Sequence, residues 1–183
     1  MDLSLELSDY GNATVGTKVK LGTSLKVTHQ IWVVTERVCI ESGHIYGLKN
    51  CMAGTVIDLS KTDNRTVTGW TPNSGPNQSW IFEGGGDQNT WFIKSFRTGK
   101  YLGIEGELYS AKDGTKVVAD QSPFKWDVRD SDVQGALGIR IFAHGTKFSV
   151  ELSDYGNAYD NTQIVLCSSW KSAHQIWALT ERR

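Results

Sequence analysis

The sequence predicts an all-β domain in which copies of one unit close around a shared core, and three observations carry that reading. Short strand-like runs recur along the chain, tryptophans recur at nearly even intervals, and the two ends of the chain repeat each other. A unit too small to bury its own apolar face must share a core with its copies.

The strand signal comes first. The runs TVIDLS, TVTGW, SWIFEG, TWFIKSF, KYLGIEG, TKVVAD, GIRIFAHG, KFSVELS and QIVLCSS are rich in β-branched and aromatic residues, and Gly, Asn, Asp or Ser closes each of them. No segment has the period of a long amphipathic helix. Many short strands spaced about 8–12 residues apart indicate a sandwich or a barrel.

The tryptophans set the unit length. Trp80 in PNQSWIFEG, Trp126 in PFKWDVRD and Trp177 in AHQIWALTE each stand ahead of a strand-like tail, after a strand, a turn, a Val/Ile-rich strand and a polar loop. The units run over about 44–88, 89–134 and 135–183. A tryptophan present in every unit is expected to be core rather than ligand platform.

The ends explain the remainder. Residues 3–37 align without a gap on residues 148–182, ELSDYGNA stands at both 6–13 and 151–158, and HQIWVVTER at 29–37 answers HQIWALTER at 174–182. GIRIFAHG precedes the C-terminal copy, whereas only Met1 and Asp2 precede the other. The C-terminal copy is therefore expected to take the seat in the barrel, because the shorter one would leave buried backbone groups unpaired at about 1–3 kcal/mol each. Residues 1–37 read as a partial extra repeat and 38–43 as a linker to a domain at 44–183. That extra repeat is either the tail of a preceding domain or a surface for a second chain in a homodimer.

Composition excludes several functions. The 19 basic and 20 acidic residues are scattered, with no basic run to neutralise phosphates, so no nucleic-acid partner is expected. MDLSLELSDYGN has none of the parts of a secretory signal, and no apolar segment is long enough to insert in a membrane. Both point to a cytoplasmic location, where the sequons at Asn12, Asn64 and Asn77 would stay unmodified. Cys39, Cys51 and Cys167 have no disulfide or metal spacing and read as free thiols. No GxSxG, HExxH or phosphate loop is present, and GGG at 84–86 lacks the later glycine of a dinucleotide loop. The expectation is a protein that is not an enzyme and needs no cofactor or metal.

QSW at 78–80, QIW at 175–177 and QIW at 30–32 resemble the Gln-x-Trp repeat of ricin B-type lectins, and IDLSKTDNRTVTGWTPNSGPNQSW is similar to units of the fungal members. FKW at 124–126 departs from the pattern by losing the glutamine. The resemblance implies a β-trefoil, a six-stranded barrel capped by three hairpins, with one shallow sugar pocket available per unit and glycans of the galactose or N-acetylgalactosamine type as partners. Some mushroom protease inhibitors share that fold, so a protein-binding trefoil is the alternative.

A galactose-type ligand needs its hydroxyls paired and its C–H face packed on a ring. The first unit offers Asp58 at the end of TVID, Trp70 after TVTG, and Asn73, Asn77 and Gln78 in the following loop; in the resembling family such a carboxylate, aromatic and asparagine hold the sugar. Aligned on the tryptophans, Asp58 corresponds to Gly103 and Glu151, and Trp70 to about Ala119 and to Cys167. The second unit is expected to be silent. The third is expected to form a weaker site from Glu151, Trp170, His174 and Gln175. None of the four histidines suggests catalysis: His29 and His174 copy one turn position, and His44 and His144 begin or end predicted strands.

Overall fold

The computed structural model describes residues 3–7, 19–23 and 39–182 of the chain. It divides into two compact units, Met1–Glu36 and Arg37–Arg183. In the first, β1 (Leu3–Leu7) and β2 (Val19–Thr23) pair antiparallel, with Leu3 opposite Thr23 and Leu7 opposite Val19. Asn12, His29, Gln30 and Trp32, singled out above, lie outside the described residues.

The second unit carries twelve strands, four to each repeat. The first repeat contributes β3 (Ile45–Asn50), β4 (Val56–Leu59), β5 (Val67–Trp70) and β6 (Trp80–Gly84). The second contributes β7 (Thr90–Ser95), β8 (Tyr101–Ile104), β9 (Val117–Asp120) and β10 (Trp126–Asp130). The third contributes β11 (Ile139–Ala143), β12 (Phe148–Leu152), β13 (Thr162–Ser168) and β14 (Trp177–Arg182). The outer strands of the repeats close a ring: β3 pairs with β6, β6 with β7, β7 with β10, β10 with β11, β11 with β14, and β14 with β3. The inner pairs β4–β5, β8–β9 and β12–β13 are three hairpins. A closed six-stranded barrel with three hairpins is a β-trefoil, and closure leaves those six strands no unpaired edge.

Trp80, Trp126 and Trp177 are fully buried, and each indole N–H donates to a backbone carbonyl of its own hairpin: Ile57 at 3.1 Å, Leu102 at 2.9 Å and Val150 at 3.1 Å. The tryptophans are thus core, as their recurrence predicted. Around them pack Leu48, Leu59, Phe82, Ile93, Ile141, Leu152 and Leu166. The alternation along each strand puts these residues on the inner face.

The C-terminal copy of the duplicated segment lies in this sheet. Phe148 stands opposite Ser168 and Leu152 opposite Ile164, the same register, shifted by 145 positions, that β1 and β2 adopt. The repeated octapeptide has a backbone reason at 151–158. Asp154, Tyr155 and Gly156 all take left-handed conformations, at φ 53°, 56° and 75°. Such a run costs about 1–2 kcal/mol for each residue with a Cβ, so few sequences make it. At Gly156 a Cβ would also stand 2.8 Å from the Cβ of His174, so the turn can press on that loop only with glycine there.

Candidate functional site

Each hairpin carries one residue at the position that follows the carbonyl bound by the repeat's tryptophan. Those residues are Asp58, Gly103 and Glu151, the correspondence expected from the sequence. In the first repeat the short 3₁₀ turn Pro76–Gln78 delivers two amide groups to Asp58. Asn77 Nδ2 donates to Asp58 Oδ2 at 2.6 Å and Gln78 Nε2 to the same oxygen at 2.8 Å, leaving Oδ1 without a partner among the described residues. Gln78 also donates to the Thr71 carbonyl at 2.9 Å and accepts from the Asn73 N–H at 2.7 Å, which ties down both sides of the loop. The loop closes this tightly because residue 75 is glycine: a Cβ there would stand 2.6 Å from Asn77 Oδ1 and 2.9 Å from Asn73 Oδ1.

The five residues picked from the first repeat therefore divide into two groups. Asp58, Asn77 and Gln78 are buried and bonded to one another, whereas Trp70, 38% exposed, and Asn73 face solvent. All except Gln78 line a shallow depression of about 270 Å³, with Ser60, Lys61, Thr62, Thr68 and Asn161 completing its wall. Gln78 holds the carboxylate from behind, and Asn77 both holds it and lines the depression.

Asn161 belongs to the third repeat and was missed in the sequence. It arrives because β13 pairs with β5, setting Thr162 opposite Gly69, while the Asn161 N–H donates to the Gly69 carbonyl at 3.0 Å. Asp160 beside it accepts from the Thr71 N–H at 2.6 Å and from the Thr71 hydroxyl at 2.8 Å. A signal was present. Asp63-Asn64, Asp113-Gly114 and Asp160-Asn161 recur once per repeat, and the second residue of each is left-handed, at φ 55°, 87° and 71°.

The third repeat rebuilds the same bracket with other side chains. Gln175 Nε2 donates to Glu151 Oε2 at 2.7 Å and to the Ser168 carbonyl at 3.2 Å, and the Trp170 N–H donates to Gln175 Oε1 at 3.1 Å. Arg140, buried, donates to that same Oε1 and to Asp132. His174 takes the place of Asn77, with Nε2 3.4 Å from Glu151 Oε2, and its ring meets the Trp170 ring edge-on at 5.0 Å between centroids. Trp170, 49% exposed, stands where the first repeat has Asn73, so the two repeats present aromatic rings from different places in the loop. Cys167 fills the position of Trp70; burial and the neighbouring Glu151 carboxylate push its thiol up to about 11. On the seam with the second repeat, Gly114 stands where Asn161 stands in the first site.

In the second repeat both members of the bracket are gone. Phe124 replaces the glutamine, packs its ring at 4.7 Å from Trp126, and lies against Gly103, where a carboxylate would find no donor. The ladder also corrects one assignment. Leu102 faces Ala119 and Tyr101 faces Asp120, while Val56 faces Trp70, so the counterpart of Trp70 is Asp120 rather than Ala119.

Among the described residues no group of three or more His, Cys, Asp or Glu side chains could hold a metal ion, and no helix is long and apolar enough to cross a membrane.

The family described as ricin-type beta-trefoil lectin domain-like matches residues 28–120 and 76–167. A ricin B-like lectin of Macrolepiota procera, solved in complex with lactose, is 36% identical with a TM-score of 0.73, over 79% of this chain and 100% of that one. The Rhizoctonia solani agglutinin shares the fold at 22% identity and a TM-score of 0.68, over 80% of this chain and 100% of that one. So does part of an exo-beta-1,3-galactanase of Clostridium thermocellum, at 18% identity and a TM-score of 0.65, over 79% of this chain and 31% of that one. No curated protein sequence matches the chain.

Proposed function

The chain belongs to the ricin-type β-trefoil lectin family, and from that premise we propose that it binds galactose-type glycans through the first repeat, without catalysis and without a metal. The observation that carries the reading is the Asp58 carboxylate, braced by Asn77 and Gln78 beside the half-open face of Trp70 in a depression the size of one sugar ring. Asp58 Oδ1 accepts hydrogen bonds from two sugar hydroxyls, the Trp70 ring takes the C–H face, and Asn73 and Asn161 supply amides at the rim. The lactose bound by the Macrolepiota procera relative supports the sugar class.

The third repeat is the second, weaker site. Its bracket is intact, but Cys167 stands in the place of the stacking ring and Trp170 offers a ring from elsewhere. A shallow pocket buries little of a monosaccharide, so one site binds with a Kd of about 0.1–1 mM. Avidity then comes from two sites on one chain, or from two chains if residues 1–37 join a homodimer.

Calorimetric titration with lactose, before and after exhaustive chelation, tests the reading. Equal binding in both is expected; loss on chelation overturns the metal-free part. A glycan array with no saccharide-dependent signal overturns the whole.

A further inference from the structure

A second depression, of about 470 Å³, lies across the 71–75 loop from the Asp58 pocket. The loop is the partition: Trp70 and Asn73 line one side, Pro72 and Ser74 the other. The far wall is the outer face of the β3–β14 ladder, with Lys49, Gly47, Thr180 and Arg182. Two cations line it and no carboxylate does.

Neither cation is neutralised by another described residue. Lys49 is exposed and makes no ion pair or side-chain hydrogen bond among the described residues. Arg182 is half-buried and pairs with no acid there; its Nη1 is held by Ser79 Oγ at 3.2 Å and the Gly75 carbonyl at 3.4 Å. Those bonds orient the guanidinium from the loop side and leave Nε and Nη2 over Gly47, where a Cβ would stand 2.8 Å from Nη2. Phe92 and Arg140 occupy the place of Gly47 in the other repeats, so this bed for a guanidinium exists once. Burial holds Arg182 below its ordinary pKa, which marks a charge the fold has desolvated with no anion beside it among the described residues.

We infer that this depression is an anion subsite joined to the sugar pocket, which receives a carboxylate or sulfate ester carried by a glycan whose galactose sits on Trp70. It rests on the proposed sugar reading, and it adds a ligand class: acidic rather than neutral glycans. A fixed guanidinium with free N–H groups suits a planar carboxylate or a sulfate, and Lys49 adds a mobile second charge.

The test titrates the full chain with lactose, 3′-sialyllactose and 3′-sulfolactose at low and at high salt. At least one acidic ligand is expected to bind about fivefold or more tighter than lactose at low ionic strength, with the gain shrinking at high salt. Lys49→Met and, separately, Arg182→Gln are each expected to remove most of that gain. Lysine 49 contributes nothing to the lactose pocket, so Lys49→Met keeps lactose affinity and the wild-type melting temperature. Gain with the sulfate alone or the carboxylate alone supports the subsite and names its anion. Lactose bound with no gain from either acid overturns the subsite and spares the sugar reading. Failure of all three ligands overturns both.

Discussion

Gln78 Nε2 stands 2.8 Å from Asp58 Oδ2, and Gln175 Nε2 stands 2.7 Å from Glu151 Oε2 in the pseudo-symmetric place. The side chain from the turn before the core tryptophan thus fixes the carboxylate of its own hairpin. In the proposed site, removing the acid removes a sugar contact and strands the amides behind it. Asp58→Ala is expected to weaken lactose binding tenfold or more, since a charge-assisted bond contributes about 1.5–3 kcal/mol. It is also expected to lower stability by about 1–3 kcal/mol, because Asn77 and Gln78 lose their buried acceptor. Calorimetry and denaturant melts read the two effects separately, and wild-type affinity in the folded variant would sink the first-repeat site.

Trp70 and Trp80 part company in the same experiments. Trp70 is 38% exposed and Trp80 fully buried with its N–H bonded to Ile57. Trp70→Ala is expected to abolish the stacking face with little loss of stability. Trp80→Ala is expected to cost about 3–5 kcal/mol and to lose binding only through unfolding. Circular dichroism melts beside lactose titration check both.

The second repeat can be rebuilt in outline. Gly103→Asp alone sets a carboxylate against Phe124 with no donor and is expected to destabilise by about 1–3 kcal/mol. Combining it with Phe124→Gln restores the bracket seen twice elsewhere. The double variant is expected to be more stable than the sum of the two single changes, a favourable coupling that a double-mutant cycle measures. Strict additivity would show that the bracket does not form in this repeat.

The cysteines differ in their chemistry. Cys39 is exposed, whereas burial raises the Cys51 thiol, and burial with Glu151 raises Cys167 to about 11. A raised pKa means less thiolate at a given pH; at pH 8, Cys167 is about one part in a thousand thiolate. Thiol-reagent labelling followed by peptide mapping is expected to modify Cys39 first and Cys167 last, with Cys167 accelerating as pH rises toward 11 or as Glu151→Gln removes the neighbouring charge. Equal labelling of Cys39 and Cys167 at pH 8 would contradict this.

The all-β class, the three repeats, the core tryptophans and the correspondence of Asp58 with Glu151 are legible in the sequence alone. All of these follow from periods and offsets within one repeat, where strand alternation and a buried indole leave a regular trace. The C-terminal copy of the duplicated segment lies in the barrel sheet as β12 and β13. Tertiary structure decided what crosses between repeats and what each polar side chain is committed to. Asn161 enters the Asp58 pocket only because β13 pairs with β5; the Asp-Asn or Asp-Gly pair that recurs in each repeat marks the turn, but not the neighbouring repeat's pocket that the turn reaches. Asn77 and Gln78 read as sugar contacts in the sequence, and the tertiary structure adds that both are buried and donate to Asp58, while Asn77 also lines the pocket. The slip from Asp120 to Ala119 has the same origin: alignment on one tryptophan carries an error across a variable loop, and only the ladder register removes it.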